Sequence, residues 1–187
     1  MKYILYIGIF CIVLSSCTRT DPVTSTVVVR GILDGTEVVQ GMGVCIAPDT
    51  ILTSAHVMRD DRVRYEAWDM RYEIRERDIE RDIAYMKIGD EKWWMKNVCG
   101  EYKKYIWKTP ELQIGDSITT EVMRSGSIIS LTGTIVSLTG TILAYDTLWR
   151  TQILTGVLVT DIEYLPWDSG APILDTGWRV VDVVHTR

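Results

Sequence analysis

The chain has 187 residues, of which 47% are hydrophobic and 24% are charged, and its formal net charge is −5 at neutral pH. This composition is typical of a folded globular protein and excludes a largely disordered chain. A nucleic-acid-binding protein normally carries a basic patch, so the acidic balance argues against a nucleic acid partner. The charges are densest between residues 58 and 82, where their signs alternate, and this pattern favours a solvated surface.

The N-terminal residues have the pattern of an export signal. After Lys2 come twelve uncharged and mostly apolar residues, from Tyr3 to Leu14. A helix that spans a bilayer needs ~20 apolar residues, so this run fits the apolar core of a signal peptide better than a membrane span. We therefore interpret residues 1–16 as a signal peptide.

The end of this segment, Leu14-Ser15-Ser16-Cys17, resembles the bacterial lipobox, in which the signal is cut just before a cysteine that becomes acylated. The resemblance implies lipid attachment at Cys17 and a polar tether over residues 17–25. It also implies an exported protein that is anchored through lipid to the bacterial cell envelope, on its periplasmic or cell-surface face. A plain secretory signal with a coincidental cysteine, or a buried strand, is the alternative.

Beyond residue 25, short runs of β-branched and aromatic residues are common and helical periodicity is scarce. About ten to twelve such runs predict an all-β fold of barrels or a sandwich. The least strand-like segment, residues 90–112, is interpreted as a connector between an N-terminal half, 26–108, and a C-terminal half, 109–187. In the second half, Ser-Leu-Thr-Gly-Thr-Ile occurs twice, from Ser130 and from Ser137, and is interpreted as two strands that meet at a glycine-containing turn.

Two cysteines, Cys45 and Cys99, fall in the predicted mature domain. An exported protein meets oxidising conditions that permit a disulfide, and two buried free thiols are an equally good alternative. The sequence has no Cys-x-x-Cys pair and only two histidines. We therefore predict neither a metal site nor a cofactor.

Acyl transfer by a serine requires a base, an acid that orients the base, and backbone donors for the oxyanion. His56 follows an apolar strand and two small residues, so its ring can lie at a barrel edge. Asp82 precedes a strand that would bury it, and a buried carboxylate needs a partner such as an imidazole N–H, whereas Asp78 lies among charged residues. Ser169, between an aspartate and a glycine, is either the nucleophile or an ordinary turn serine.

Three segments, "ILTSAHV", "DIAYMKI" and "DSGAPIL", occur in the order that is found in the trypsin-like serine peptidase superfamily, which they resemble. The segment "TDIEYLPWDSGAP" is similar to the corresponding run of the bacterial HtrA/Deg branch. The resemblance implies two antiparallel, six-stranded-type β-barrels of the chymotrypsin kind, with the site between them and the second barrel C-terminally truncated. It assigns His56 as general base and acid, Asp82 as its orienting partner and Ser169 as nucleophile.

Two features of the sequence bear on activity. The resemblance places the oxyanion hole at the backbone N–H groups of Trp167 and Ser169, but family members have glycine where this chain has Trp167. If that position requires glycine-like angles, tryptophan either bears strain or leaves the loop flipped. His185 lies on the strand that would line the substrate pocket, so it is either a substrate-binding residue or an ordinary strand residue.

These observations predict a membrane-tethered serine endopeptidase that acts on exported polypeptides by a Ser-His-Asp mechanism. The alternative is a catalytically impaired lipoprotein of the same fold that serves as a binding module at the cell surface. The sequence gives no oligomeric state.

Overall fold

A computed structural model describes residues 25–47, 49–67, 70–88, 111–145 and 151–186. The predicted signal peptide, the lipid attachment at Cys17 and nearly all of the predicted connector lie outside the described residues. Within the described ranges the helical elements are short 3-10 turns, including Ala55–Met58 and Pro166–Asp168. None of the helices in this part of the chain has the length and apolar character needed to cross a membrane.

The first half forms a closed antiparallel barrel with the strand order β1-β2-β3-β6-β5-β4. Its first hairpin turns at Asp34-Gly35, where both residues have positive φ, as the twist of a two-residue hairpin requires. The six strands are β1 (Thr26–Leu33), β2 (Thr36–Ala47), β3 (Thr50–Ser54), β4 (Arg64–Ala67), β5 (Met70–Asp78) and β6 (Ile83–Ile88).

The second half is a five-stranded antiparallel sheet with the order β11-β10-β7-β8-β9. Its strands are β7 (Ser117–Arg124), β8 (Ser127–Tyr145), β9 (Thr151–Thr160), β10 (Pro172–Leu174) and β11 (Val180–Val183). The sheet curls into a half-barrel beside the closed barrel of the first half. The predicted all-β, chymotrypsin-like fold is therefore confirmed.

The repeat in the second half is one strand, and its interpretation as two strands that meet at a turn was wrong. β8 runs through both copies, and it pairs first with β7 and then with β9. The register with β9 shifts three times between Ile135 and Thr141, and such bulges bend a strand without ending it. The two glycines of the repeat allow close packing: a Cβ at Gly133 would lie 2.3 Å from Asp161 Oδ1, and one at Gly140 would lie 2.2 Å from Val159 Cγ2.

A shared hydrophobic core joins the two halves. Met42 of β2 packs with the buried residues of the second sheet, and Val44 packs with Leu174 and Val183 of β10 and β11. Side chains two residues apart on a strand point to the same face, so this face of β2 turns away from its own barrel. The contact fixes the relative position of the loops that follow β3 and precede β10.

Cys45 of β2 is disulfide-bonded, and its partner lies outside the described residues. Of the two predicted states of this cysteine, a disulfide or a free thiol, the structure has the disulfide. The pairing with Cys99 stays a prediction.

Candidate active site

An imidazole and a carboxylate are joined at one edge of the first barrel. The Nδ1 of His56 donates to Oδ2 of Asp82 across 2.6 Å, and the backbone N–H of His56 donates to the other carboxylate oxygen across 2.8 Å. Asp82 is only 2% exposed. With Nδ1 engaged by the carboxylate, Nε2 is the ring atom left to accept a proton.

Strand pairing brings these two residues together although they are far apart in sequence. Ser54 at the end of β3 pairs with Ile83 at the start of β6, so the residues that flank this pair, Ala55-His56 and Asp82, become neighbours. The N–H of Ala55 donates to the carbonyl of Asp82 at 3.0 Å. Asp82 itself has a φ of 53°, a left-handed conformation that aspartate tolerates better than most residues and that turns its carboxylate toward the histidine.

Ser169 lies at the junction of the two halves. Its carbonyl accepts a hydrogen bond of 2.7 Å from the N–H of Met42. A Cβ at Gly41 would lie 2.9 Å from the Ser169 carbonyl oxygen and 2.7 Å from Cγ2 of Val57, the residue after His56. The Ser169 backbone and the residue after His56 therefore both pack against a glycine of β2.

One carbonyl oxygen accepts hydrogen bonds from residues next to the candidate site in both halves. The oxygen of Val184 accepts from Gly170 N–H at 2.8 Å in the second half and from Ser54 Oγ at 3.0 Å in the first. Gly170 has a φ of 87°, and a Cβ there would lie 2.1 Å from the Met42 carbonyl oxygen. Only glycine fits this approach, which explains the Ser-Gly pair in the sequence.

This arrangement agrees with a comparison against known families. A family model described as a trypsin-like peptidase domain matches residues 41–182. The chain belongs to the trypsin-like peptidase family. Comparison with curated proteins gives no significant match.

Several solved structures share the fold. The crystal structure of Deg5 is 19% identical in sequence, with a TM-score of 0.65 over 89% of this chain and 80% of that one. The active form of the Rv3671c protease from M. tuberculosis is 20% identical, with a TM-score of 0.61 over 88% and 71%. The MamO protease domain from Magnetospirillum magneticum is 13% identical, with a TM-score of 0.59 over 88% and 85%. At these identities the similarity establishes the fold alone.

The loop before Ser169 presents a carbonyl group to the candidate nucleophile. The oxygen of Pro166 accepts from Ser169 Oγ at 3.1 Å and from Thr186 Oγ1 at 2.8 Å, and the two hydroxyls also contact each other. Among the described residues these are the hydrogen-bond partners of Ser169 Oγ, and none of its hydrogen bonds goes to His56. Ser169 is only 2% exposed.

This geometry bears directly on the predicted oxyanion hole. The peptide bond between Pro166 and Trp167 is planar and trans, so its N–H points away from the side on which its carbonyl meets Ser169. The Trp167 N–H therefore does not point toward an oxyanion at Ser169 in this conformation. Of the two outcomes expected for tryptophan at this position, the structure has the flipped loop: Trp167 lies in a 3-10 turn without a positive φ, and its side chain is 43% exposed.

A buried ion pair holds the same loop. Asp168 is fully buried and receives both terminal nitrogens of Arg124, at 2.5 and 2.6 Å. Its Oδ2 also accepts from the N–H of Leu165 at 2.7 Å, which caps the 3-10 turn. This pair was not predicted from the sequence, because Arg124 and Asp168 lie 44 positions apart and the one local signal is the aspartate directly before Ser169.

His185 contacts the candidate acid from the side of the second half. Its Nδ1 lies 3.0 Å from Asp82 Oδ2, the same oxygen that His56 contacts, and its Nε2 lies 3.4 Å from Asp182 Oδ1. The side chain is 4% exposed. Both ring nitrogens therefore face carboxylates, and the substrate-binding role of His185 stays a prediction.

The pKa values of this cluster follow from its contacts. Burial favours the neutral form of Asp82, but hydrogen bonds from His185 and His56 outweigh burial and hold the pKa of this carboxyl well below its ordinary value. Burial also opposes the charged form of His185, yet its hydrogen bonds to Asp182 and Asp82 raise its pKa to about 9. These contacts favour the charged form of the His185 ring beside the Asp82 carboxylate.

Proposed function

We propose that this protein is a membrane-tethered serine endopeptidase that hydrolyses peptide bonds of exported polypeptides. The observation that carries the proposal is the Asp82–His56 pair at the edge of the first barrel, in a chain whose Ser169 lies at the junction of the two β-structured halves. Serine peptidases of this family use such a group of residues for acyl transfer. Polypeptide substrates follow from membership of the peptidase family.

In the proposed reaction, Nε2 of His56 takes the proton of Ser169 Oγ as that oxygen attacks the scissile carbonyl carbon. Asp82 holds the ring with its Nδ1–H toward the carboxylate and stabilises the imidazolium that forms. His56 then gives the proton to the leaving amine, and a water molecule repeats the sequence on the acyl-enzyme. The negative oxygen of each tetrahedral intermediate needs backbone N–H donors.

The Pro166 carbonyl must leave Ser169 Oγ before this reaction begins. Rotation of the Pro166–Trp167 peptide would remove the carbonyl from the hydroxyl and bring the Trp167 N–H toward the oxyanion position, next to the N–H of Ser169. The conformation described here is therefore a resting state in this proposal. The Ser169 hydroxyl becomes available to His56 once the Pro166–Trp167 peptide has rotated.

The tether and the exported location are part of the proposal. They rest on the lipobox-like end at Cys17 and on the disulfide at Cys45, since disulfides persist mainly in oxidising compartments outside the cytoplasm. Metabolic labelling with a fatty acid should tag the wild-type chain and leave Cys17→Ala untagged. Equal tagging of both proteins would contradict lipid attachment at this residue.

The activity is tested with the full-length protein in detergent and an unfolded polypeptide, such as reduced β-casein, as substrate. We expect fragments from wild-type protein and none from Ser169→Ala, which keeps the fold and lacks the nucleophile. A stronger signal from Trp167→Gly would show that the loop limits the rate. Cleavage that persists in Ser169→Ala would contradict the mechanism.

A second candidate function is a trypsin-fold lipoprotein without peptidase activity that binds a partner at the cell surface. The specific observation in its favour is the Pro166 carbonyl on Ser169 Oγ, together with an exposed tryptophan beside the site. In this case wild-type protein would give no fragments, and Trp167→Gly would produce them only if the loop is the sole defect.

A further inference from the structure

The described residues contain a second histidine on the candidate catalytic acid. We propose that His185 is a positioning residue whose imidazolium shares Asp82 with His56 and thereby extends the reactivity of Ser169 to lower pH. The inference rests on the proposed function, because it concerns the base of the same site. It assigns His185 a role that differs from the substrate contact predicted from sequence.

Both histidines contact the same carboxylate oxygen. His56 Nδ1 and His185 Nδ1 lie 2.6 and 3.0 Å from the same oxygen, Oδ2 of Asp82. Both must donate, since a carboxylate oxygen can only accept. The other nitrogen of His185 faces a second carboxylate, that of Asp182, at 3.4 Å. A ring with one nitrogen hydrogen-bonded to a carboxylate and the other within ion-pair distance of a second carboxylate is favoured as an imidazolium.

The surroundings of His185 support a positive charge on the ring. The charged groups near it are Asp82 from the turn before β6, Asp182 from β11, and Arg81, which lines a small cavity of about 200 Å³ together with Asp182 and His185. His56 contacts the same Asp82 carboxylate oxygen. The Tyr164 hydroxyl stays protonated near neutral pH, because burial raises its pKa to about 12. Two carboxylates therefore face the ring at contact distance.

The consequence for His56 is electrostatic. Both Nδ1 atoms contact one oxygen, so they lie at most about 6 Å apart, where a unit charge on one ring strongly opposes a unit charge on the other. When the Asp82 carboxylate is already paired with the His185 imidazolium, it stabilises a proton on His56 less. The proposed extension of Ser169 reactivity to lower pH follows from this weaker stabilisation.

Two variants separate this role from a structural one. In His185→Asn the side-chain amide nitrogen replaces Nδ1, so a donor to Asp82 remains while the charge is lost. In Asp182→Asn the histidine and its contact with Asp82 remain, but the carboxylate that favours the charged ring is gone. The Asp182 side chain is 20% exposed, so this second change is expected to leave folding intact.

The main readout is the rate of Ser169 labelling by a fluorophosphonate between pH 5 and pH 9, with full-length protein. We expect the pH of half-maximal labelling to rise by roughly one to two units in His185→Asn, and by less in Asp182→Asn. A conservative control, Glu163→Gln on the exposed loop before Pro166, should leave the profile in place. Profiles of both variants that coincide with that of wild type would overturn the inference.

A second readout does not need activity. The chain has only two histidines, so protein without a histidine tag gives two sets of imidazole NMR signals, and His185→Asn identifies them. We expect the His185 ring to stay doubly protonated to about pH 9 in wild type, and the Nδ1 proton of His56 to move downfield in His185→Asn. A neutral His185 at pH 7 would overturn the inference whether or not Ser169 reacts. Absent labelling with a charged His185 and a shifted His56 proton would instead contradict the proposed function.

Discussion

At the scale of single residues, the proposal makes Trp167, the residue before Asp168, decide whether the oxyanion hole forms. Rotating the Pro166–Trp167 peptide toward glycine-like angles costs an ordinary residue roughly 1–2 kcal/mol, and a missing oxyanion donor costs about 10²–10³ in rate. We therefore expect Trp167→Gly to label with a fluorophosphonate at least about tenfold faster than wild type.

Trp167→Ala is the matched control for this prediction. It removes the exposed indole but keeps the backbone preferences of a residue with a Cβ. If alanine accelerates labelling as much as glycine does, the indole blocks the site and the peptide conformation is not the limiting feature.

The raised pKa of His185 also predicts that the free energy of unfolding depends on pH. Below pH ~6.5 the ring is protonated in both folded and unfolded chains, so its stabilising contacts with Asp82 and Asp182 are fully present. As the pH rises toward about 9, the unfolded chain loses this proton before the folded chain does, and the stabilisation is lost. The free energy of unfolding should fall over this range by up to about 3 kcal/mol.

Urea unfolding at several pH values between 6 and 9.5 measures this change. His185→Asn should show a flatter dependence, because the group that titrates has been removed. The same decline in wild type and variant would assign it to other residues.

At the scale of elements, the loop Leu165–Ser169 is held by an ion pair with β7. Removing one partner of a buried pair leaves an unpaired buried charge, which typically costs about 3–5 kcal/mol. We expect this order of loss for Arg124→Gln, since Asp168 is fully buried. Asp168→Asn keeps a side-chain oxygen for the Leu165 N–H.

A double-mutant cycle on these two residues measures their coupling. Arg124→Gln combined with Asp168→Asn should be less destabilising than the sum of the single changes by at least about 1 kcal/mol. Strict additivity in chemical denaturation would mean that the pair does not hold the loop.

The contact between Gly170 and β2 gives a second prediction at this scale. Gly170→Ala places a methyl group 2.1 Å from the Met42 carbonyl oxygen and 2.4 Å from Thr53 Oγ1, so the two halves must separate locally. Gly126 has a similar φ of 81° with no atom within 4 Å of a Cβ, so Gly126→Ala isolates the backbone cost of roughly 1–2 kcal/mol. Thermal unfolding should show a clearly larger loss for Gly170→Ala, and equal losses would contradict the close contact.

At the scale of the whole molecule, the sequence predicted the fold, which the structure confirms, and three candidate catalytic residues, each of which lies in a short local pattern. His56 follows a strand, Asp82 precedes one, and Ser169 lies in a glycine-containing turn. The contacts that were missed join distant residues: Arg124 reaches Asp168 across 44 positions, and His185 reaches Asp82 across 103. They depend on how the two halves meet, which local patterns do not specify.

The long strand β8 was misread for a related reason. Glycine in a repeat usually marks a turn, but Gly133 and Gly140 instead make room for Asp161 and Val159, residues that neighbouring strands bring into contact. The need for glycine arose from packing between elements, so the sequence alone could not distinguish a turn from a close approach.

The disulfide at Cys45 acts on the stability of the whole domain. Removing a native disulfide from a small exported domain typically costs about 2–5 kcal/mol. We expect that loss on reduction or in Cys45→Ala, measured by chemical denaturation with and without reductant. Alkylation of Cys45 in unreduced, unfolded protein would contradict the bond.

The proposed mechanism requires that the Ser169 hydroxyl, in the second half, reacts with the help of the His56 imidazole, in the first half. The most direct measurement is mass spectrometry of the full-length protein after treatment with a fluorophosphonate. We predict a single adduct, on Ser169, that forms faster in Trp167→Gly and is lost in His56→Gln. No adduct in either wild type or Trp167→Gly, or an adduct that forms equally fast without the imidazole, would contradict it.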